Sequence, residues 1–263
     1  MLIYDVNNWV RVKMAESVGG ASILSLYTEI MAKAVSGEIQ VFVADGINSR
    51  KRRKELYPNY KAKRKPADQS IYDGINLFKE LLVNMPQNVL RIEIPEYEAD
   101  DVIANLVEKN FAGMPLSVIS TDKDLTYLQI HKEVKTLKEP PVAAKWVKLY
   151  KMLVGDSSDN IPGVSGFGEG AWSKLSDDFK DRVTVGLHLG KGKIEDEVMV
   201  RLLERENIGK ALKEKIAFEN RMGLLYKWYK LVSFIDIPDN LLCVQSGNGN
   251  TYLNDEKIEQ LGL

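Results

Sequence analysis

Nine carboxylates fall where an α/β fold delivers side chains to a common rim. Asp5 closes the run Leu2-Ile3-Tyr4, Asp45 follows Val41-Phe42-Val43-Ala44, and Glu98, Asp100 and Asp101 open an amphipathic stretch. Asp122 and Asp124 follow Val118-Ile119-Ser120-Thr121, and Asp156 and Asp159 lie in a glycine-rich loop. Carboxylates crowded in this way repel one another until some hold protons. Divalent cations relieve the repulsion, because Mg²⁺ and Mn²⁺ take oxygen ligands while keeping several waters, so two ions can share such acids with a substrate phosphate. A pair of ions about 3.5 to 4 Å apart clamps the attacking and leaving oxygens of an in-line phosphoryl displacement. Each acid also has a plainer role open to it. Glu98, Asp100 and Asp101 suit the first turn of a helix, Asp122 suits an N-cap, and Asp156 and Asp159 suit a turn.

The rest of the inventory removes competing chemistries. Among 263 residues there is one cysteine, Cys243, and two histidines, His131 and His188, too few for a disulfide framework, a Cys/His zinc site or a Cys/His nucleophile. The formal net charge of -1 conceals a basic segment, Arg50, Lys51, Arg52, Arg53, Lys54, Lys61, Lys63, Arg64 and Lys65, interrupted by one acid, Glu55, and interleaved with Tyr57 and Tyr60. Such a segment suits a polyanion, or it is a solvated charge run. With 44% hydrophobic and 28% charged residues the composition is that of a globular domain. No apolar run reaches the roughly 20 residues of a membrane span, and no signal peptide is read at the N-terminus, so a cytoplasmic protein is expected.

Positioning the acids requires strands that end together. Short β-branched runs at 2–5, 39–44, 89–94, 116–120 and 134–137 predict strands, and the amphipathic stretches 21–34, 71–82, 98–111 and 125–130 predict helices between them. This alternation predicts a mostly parallel sheet covered on both faces, with ligands at the carboxyl ends of its strands. From about Trp146 the pattern turns helical, at 146–154, 171–175, 196–206, 208–215 and 219–234, with a glycine-rich hairpin over 155–170. A polar turn is expected at 246–251 and a short helix in the last dozen residues. Two domains follow, 1–145 and 146–263.

Four strings carry a resemblance. Tyr57-Pro58-Asn59-Tyr60-Lys61-Ala62-Lys63-Arg64, Tyr97-Glu98-Ala99-Asp100-Asp101, Ser120-Thr121-Asp122-Lys123-Asp124-Leu125 and the run from Gly155-Asp156-Ser157-Ser158-Asp159-Asn160 through Ile161-Pro162-Gly163-Val164-Ser165-Gly166-Phe167-Gly168 closely resemble motifs of the 5′-nuclease family. That family comprises flap endonucleases and 5′-3′ exonucleases, including the 5′-nuclease domain of bacterial DNA polymerase I and small phage enzymes. The likeness runs from Leu2 to about Ala171 and then thins to Phe234-Ile235-Asp236-Ile237-Pro238-Asp239, similar to the family's closing segment. The resemblance implies a PIN-like α/β fold, a helical arch over about 48–82, and a C-terminal helical subdomain with a helix-hairpin-helix-like motif. It implies that Asp5, Asp45, Glu98, Asp100 and Asp101 surround one Mg²⁺ and that Asp122, Asp124, Asp156 and Asp159 surround a second, with Mn²⁺ able to substitute.

The resemblance also implies that Lys61 and Arg64 contact the scissile phosphate from the base of the arch. Tyr60 stacks on an unpaired base or packs on the arch stem. Arg50, Lys51, Arg52, Arg53 and Lys63 bind DNA, and Gly163, Gly166 and Gly168 belong to a duplex clamp that in relatives holds a monovalent cation, K⁺, through backbone carbonyls. The expected activity is structure-specific cleavage of DNA flaps and 5′ ends, and of RNA primers or RNA/DNA hybrids, by a monomer acting away from membranes. With no polymerase domain following, the chain reads as a free-standing nuclease. Two alternatives remain. A PIN-type ribonuclease shares the acidic rim but lacks the basic arch and hairpin; a catalytically silent DNA-junction binder gains nothing from nine acids facing phosphate. Two departures from the family pattern stand out: Ala44-Asp45-Gly46 lacks the aromatic common before the acid, and Gly168-Glu169-Gly170 lacks the usual basic residue, so a weaker clamp is expected.

Overall fold

The computed structural model of the chain describes residues 1–16, 20–190 and 192–249. Its strands are β1 (Leu2–Asp5), β2 (Gln40–Asp45), β3 (Val89–Ile94), β4 (Leu116–Ile119), β5 (Val134–Thr136) and β6 (Gln245–Ser246). The helices of the first half are α1 (Val6–Glu16), α2 (Gly20–Val35), α3 (Lys51–Leu56), α4 (Gln69–Val83) and α5 (Ala99–Asn105). Those of the second half are α6 (Val147–Val154), α7 (Glu169–Trp172), α8 (Asp177–Leu189), α9 (Asp196–Glu204), α10 (Lys210–Arg221) and α11 (Leu224–Val232). These elements form two compact units. The first takes Met1–Lys51, Lys65–Glu139 and the chain from Ile235 onward; the second takes Arg52–Arg64 and Pro140–Phe234. A single boundary at 145 is therefore not how the chain divides, because 52–64 joins the second unit and 235 onward returns to the first.

In the first unit one sheet runs in the order β5-β4-β1-β2-β3-β6, parallel throughout except for the antiparallel β6. Ile3 and Tyr4, adjacent in β1 and therefore on opposite faces, are both buried, which is why the strand reads as continuously apolar. Register decides where the acids arrive: Asp5 pairs with Val43, and Asp45 pairs with Ile94. One face of the sheet is covered by α1, α2 and α4 around an aromatic cluster. In it Tyr4 stacks on Phe42 at 4.6 Å and Phe78 meets Trp9 edge-on at 5.7 Å. The second unit is helical around its own core of Leu149, Met152, Phe179, Met199, Ile216 and Leu225.

Several elements differ from expectation. α1 begins on the residue after β1, with no turn between, and buries Val6, Trp9 and Val10. α8 lies where no helix was predicted, opened by Ser176, whose hydroxyl accepts the Phe179 N–H at 3.1 Å. α10 runs unbroken through 215–219, and the chain turns instead at Gly223, whose φ of 70° glycine adopts readily. A strand, β6, occupies the start of the expected polar turn; the end of that turn and the expected terminal helix lie outside the described residues. The segment read as an arch is helical in α3 and α4. It is anchored at both: Arg53 and Tyr60 are buried in the second unit, and Ile75, Phe78, Leu81 and Leu82 in the first.

Candidate metal centre

Parallel strands that end together place Asp5 and Asp45 on neighbouring tips. Asp5 is buried, and its carboxylate accepts the Asn8 N–H at 3.1 Å and the Ser120 hydroxyl at 3.0 Å. Burial, reinforced by the charges of Asp45 and Asp122 and only partly offset by these two donors, pushes its pKa up to about 7. Asp45 is held from both sides: its N–H donates to Asn7 Oδ1 at 3.1 Å, and its carboxylate accepts the Ala99 N–H at 2.8 Å. The next residue must be glycine. A Cβ on Gly46 would stand 1.8 Å from the Ile94 carbonyl oxygen.

The opening of α5 performs the capping role open to its acids and builds a ligand set as well. Glu98 accepts the Asp101 N–H while Asp101 Oδ2 accepts the Glu98 N–H at 3.4 Å, a reciprocal capping box. Asp101 Oδ1 accepts the Ile235 N–H at 2.7 Å, which ties the returning chain to the helix. Glu98, Asp100 and Asp101 nonetheless bring one carboxylate oxygen each within 4.8 Å of one another, the spacing of groups that share a cation. Arg50 stands 3.9 Å from Glu98, and Lys51 pairs with Glu96. Asp122 accepts the Asp124 N–H at 2.9 Å just ahead of the 3₁₀ turn Asp124–Ile130; both acids are half-buried.

In the second unit Asp156 and Asp159 sit in the loop after α6. Burial would raise the Asp156 carboxyl, but the Lys151 ammonium at 2.6 Å and two donors from Ser158 outweigh it and hold the pKa near about 2. Asp159 is buried, accepting Arg64 Nη2 at 2.7 Å and the Tyr60 hydroxyl at 3.4 Å. Tyr60 is therefore no exposed stacking surface: at 1% exposure its ring belongs to the core of this unit. Lys61 is likewise buried, at 8% exposure, with its N–H on the Asp159 carbonyl at 3.1 Å and its ammonium 4.9 Å from the Tyr60 ring centroid. Arg53, expected to meet DNA, turns inward and gives its guanidinium to the carbonyls of Leu231 and Ser233, both at 3.2 Å. Arg52, Lys63 and Arg64 are exposed.

The hairpin glycines serve different ends. Gly163, at φ 66°, abuts the 154–155 backbone, where a Cβ would come within 2.5 Å of Gly155 N, so its lack of a side chain is spent on the protein's own backbone. Gly166, at φ 82°, faces Lys215 and Leu212 at ordinary contact distance, and Gly168 has open space around it. Sequence reading missed the groups that hold the acids: the side chains of Asn7 and Ser120, and the backbone N–H groups of Asn8 and Ile235. The consecutive asparagines two and three residues after a strand-end aspartate were the available signal.

The sequence matches the 5′-3′ exonuclease N-terminal resolvase-like domain over residues 15–153. DNA polymerase I of Caldicellulosiruptor bescii is 34% identical over 188 residues, 63% of this chain and 22% of that protein. A 5′-3′ exonuclease of Aquifex aeolicus is 33% identical over 131 residues, 44% of this chain and 45% of that one. The chain thus spans about a fifth of the polymerase relative's length, and its match to the exonuclease takes in less than half of that relative. Among solved structures, the bacteriophage T5 flap endonuclease in complex with DNA and metal ions has a TM-score of 0.61 at 21% identity, covering 88% of both chains, which shows a common fold. With the domain matched over 15–153 of 263 residues, the chain belongs to the 5′-3′ exonuclease family.

Proposed function

We propose that this chain is an Mg²⁺-dependent 5′-nuclease that hydrolyses phosphodiester bonds at DNA flaps and 5′ ends, and in RNA primers, during replication or repair. The observation that carries the reading is the cluster of Glu98, Asp100 and Asp101 oxygens within 4.8 Å at the opening of α5. The donor set fits a hard divalent cation, being carboxylate oxygen throughout, and Asp5, raised first by burial and further by the charges of Asp45 and Asp122, stands where positive charge would be favoured. Asp5, Asp45, Glu98, Asp100 and Asp101 would hold one ion, and Asp122, whose charge reaches Asp5, would with Asp124 contribute to a second. Such ions supply a hydroxide nucleophile near neutral pH and stabilise charge on phosphate, so no histidine base is needed.

The chain's own residues orient that chemistry. The Asn8 N–H and the Ser120 hydroxyl fix the Asp5 carboxylate and Asn7 holds the Asp45 backbone, so these strand ends need not reorganise on binding. Arg64, exposed and held at Asp159, is suited to accept a phosphate in its guanidinium fork. Buried Lys61 adds a fixed positive charge beside it. The assay that tests the reading is a 5′-labelled flap duplex incubated with Mg²⁺ or with EDTA and resolved by product length. Short 5′ products with Mg²⁺ alone, lost in Asp122→Asn, are expected. Cleavage that persists in EDTA, or an inert wild-type protein, rejects it.

A further inference from the structure

The sheet of the first unit leaves a cavity beside β3. Between α4, that strand and the returning chain at 240–245 lies a space of about 450 Å³, and none of the nine candidate metal ligands lines it. Its floor is apolar, because Phe42, Ala44 and Leu82 are all buried in the core under α1, α2 and α4. Register sets charge against that floor: Arg91 pairs with Phe42 and Glu93 with Ala44, so these four side chains stand on one face of the sheet. Lys79, one turn before Leu82 on α4, takes Glu93 in an ion pair. Arg91, the one other charged residue lining the cavity, is left in excess. Its side chain is half-buried, and its Nε is fully buried and meets no hydrogen-bond acceptor among the described residues.

We propose that this cavity binds a small carboxylate with an apolar body, its carboxylate held by the Arg91 guanidinium and its body laid over Phe42, Ala44 and Leu82. The volume falls within the about 300 to 1,000 Å³ of small-molecule sites, which pair an apolar lining with a few polar groups that fix orientation. A guanidinium that has lost water at Nε without gaining an acceptor is a cation the fold leaves uncompensated, and beside an apolar floor its attraction for an anion is stronger than in water. A carboxylate fits the planar guanidinium, two oxygens against two N–H groups. The charge count points the same way. One positive charge in excess is balanced by one negative charge, whereas a phosphate monoester brings about 1.5 to 2. A nucleotide also presents sugar and phosphate rather than an apolar body to the floor. The ligand is therefore of a different class from the DNA proposed above, and its binding does not depend on cleavage.

Cys243, the sole cysteine of the chain, is exposed and lines the same cavity, so its alkylation reports whether the space is filled. The test follows the reaction of the full chain with N-ethylmaleimide by mass spectrometry, in sodium octanoate, octan-1-ol or thymidine monophosphate, and records the side-chain N–H resonances of Arg91 by NMR in the same titrations. Octanoate should slow alkylation saturably and shift the Arg91 resonances. Octan-1-ol, which has the same body and no charge, should need about ten times the concentration for equal protection, as should octanoate acting on Arg91→Met, since each lacks one partner of a charge-assisted hydrogen bond. Thymidine monophosphate should protect no better than the alcohol. Equal protection of the wild type by octanoate and octan-1-ol overturns the proposal, as does protection by thymidine monophosphate equal to that by octanoate, and so does octanoate that changes neither the alkylation rate nor the Arg91 resonances. Should Arg91→Met fail to fold, the acid-against-alcohol comparison and the resonances of the wild type decide alone. A wild type that octanoate protects but that cuts no flap with Mg²⁺ rejects the nuclease reading only; one that cuts but that octanoate leaves unchanged rejects the carboxylate site only.

Discussion

Asp5 shows how one buried side chain sets the pH response of a site. Its carboxyl titrates near about 7 in the fold, against 3.8 for the ordinary group, because burial and the charges of Asp45 and Asp122 oppose ionisation. The folded state therefore binds this proton more tightly than the unfolded chain does. The stability it lends is fully present below about pH 4, declines as pH rises toward 7 and is absent above, a change of up to about 4 kcal/mol by linkage. In EDTA, urea unfolding of the wild type should accordingly show falling stability between pH 5 and 8. Asp5→Asn keeps the shape and the Asn8 contact but has no proton to lose, so its stability should stay nearly level over that range. An equal decline in both proteins would assign the slope to other groups. Asp101 teaches the complementary lesson. Fully buried and bonded to the Ile235 N–H, it holds the fold together as well as offering an oxygen to a cation, so its substitution confounds structure with activity where Asp122 does not.

At the scale of elements, the close of β2 carries the most exacting constraint. Gly46 passes so near the end of β3 that a methyl group would overlap the Ile94 carbonyl, and the same turn holds Asp45 against the Ala99 N–H. Gly46→Ala should cost at least the about 1–3 kcal/mol of an overpacked site and shift Asp45 out of register with α5. Gly168→Ala meets open space at an extended φ and should leave stability within about 0.5 kcal/mol. Thermal melts of the two variants separate these outcomes, and equal melting temperatures would contradict the packing argument. The five parallel strands were legible because Val, Ile and Leu runs buried on both faces leave few alternatives, and the acids at their ends followed from that. α8 was readable too: Phe179, Val183 and Leu187 recur every four residues after a Ser176 cap, a pattern masked by the charges between them. Other features had no local signature. Nothing near Arg53 announces that its partners are carbonyls at the end of α11, and nothing near Tyr60 distinguishes a buried ring from a stacking one. The two residues of β6 pair with a strand about 150 positions earlier, beyond the reach of any periodicity.

Over the whole molecule the charges nearly cancel, 36 basic against 37 acidic side chains, yet one segment departs from that balance. The basic run lies at 50–65, whereas seven of the nine candidate ligands belong to the first unit, whose stability they lower by mutual repulsion when no cation is present. Each unit has its own apolar core, so the first unit's response to a cation can be read separately from the second's. A ligand that binds only the folded state stabilises by mass action, about 2.7 kcal/mol at a hundred times its dissociation constant. Saturating Mg²⁺ should therefore slow amide hydrogen exchange in β1, β2 and α5, where the strand-end and capping carboxylates stand, while α8, α9 and α10, which carry none of the nine, exchange as before. NaCl at equal ionic strength must not reproduce the effect, since screening acts on every charge and coordination acts only on the acids that share an ion. Slowing that is uniform across both units, or matched by NaCl, would show general electrostatic stabilisation and remove the divalent ligand set from the strand ends.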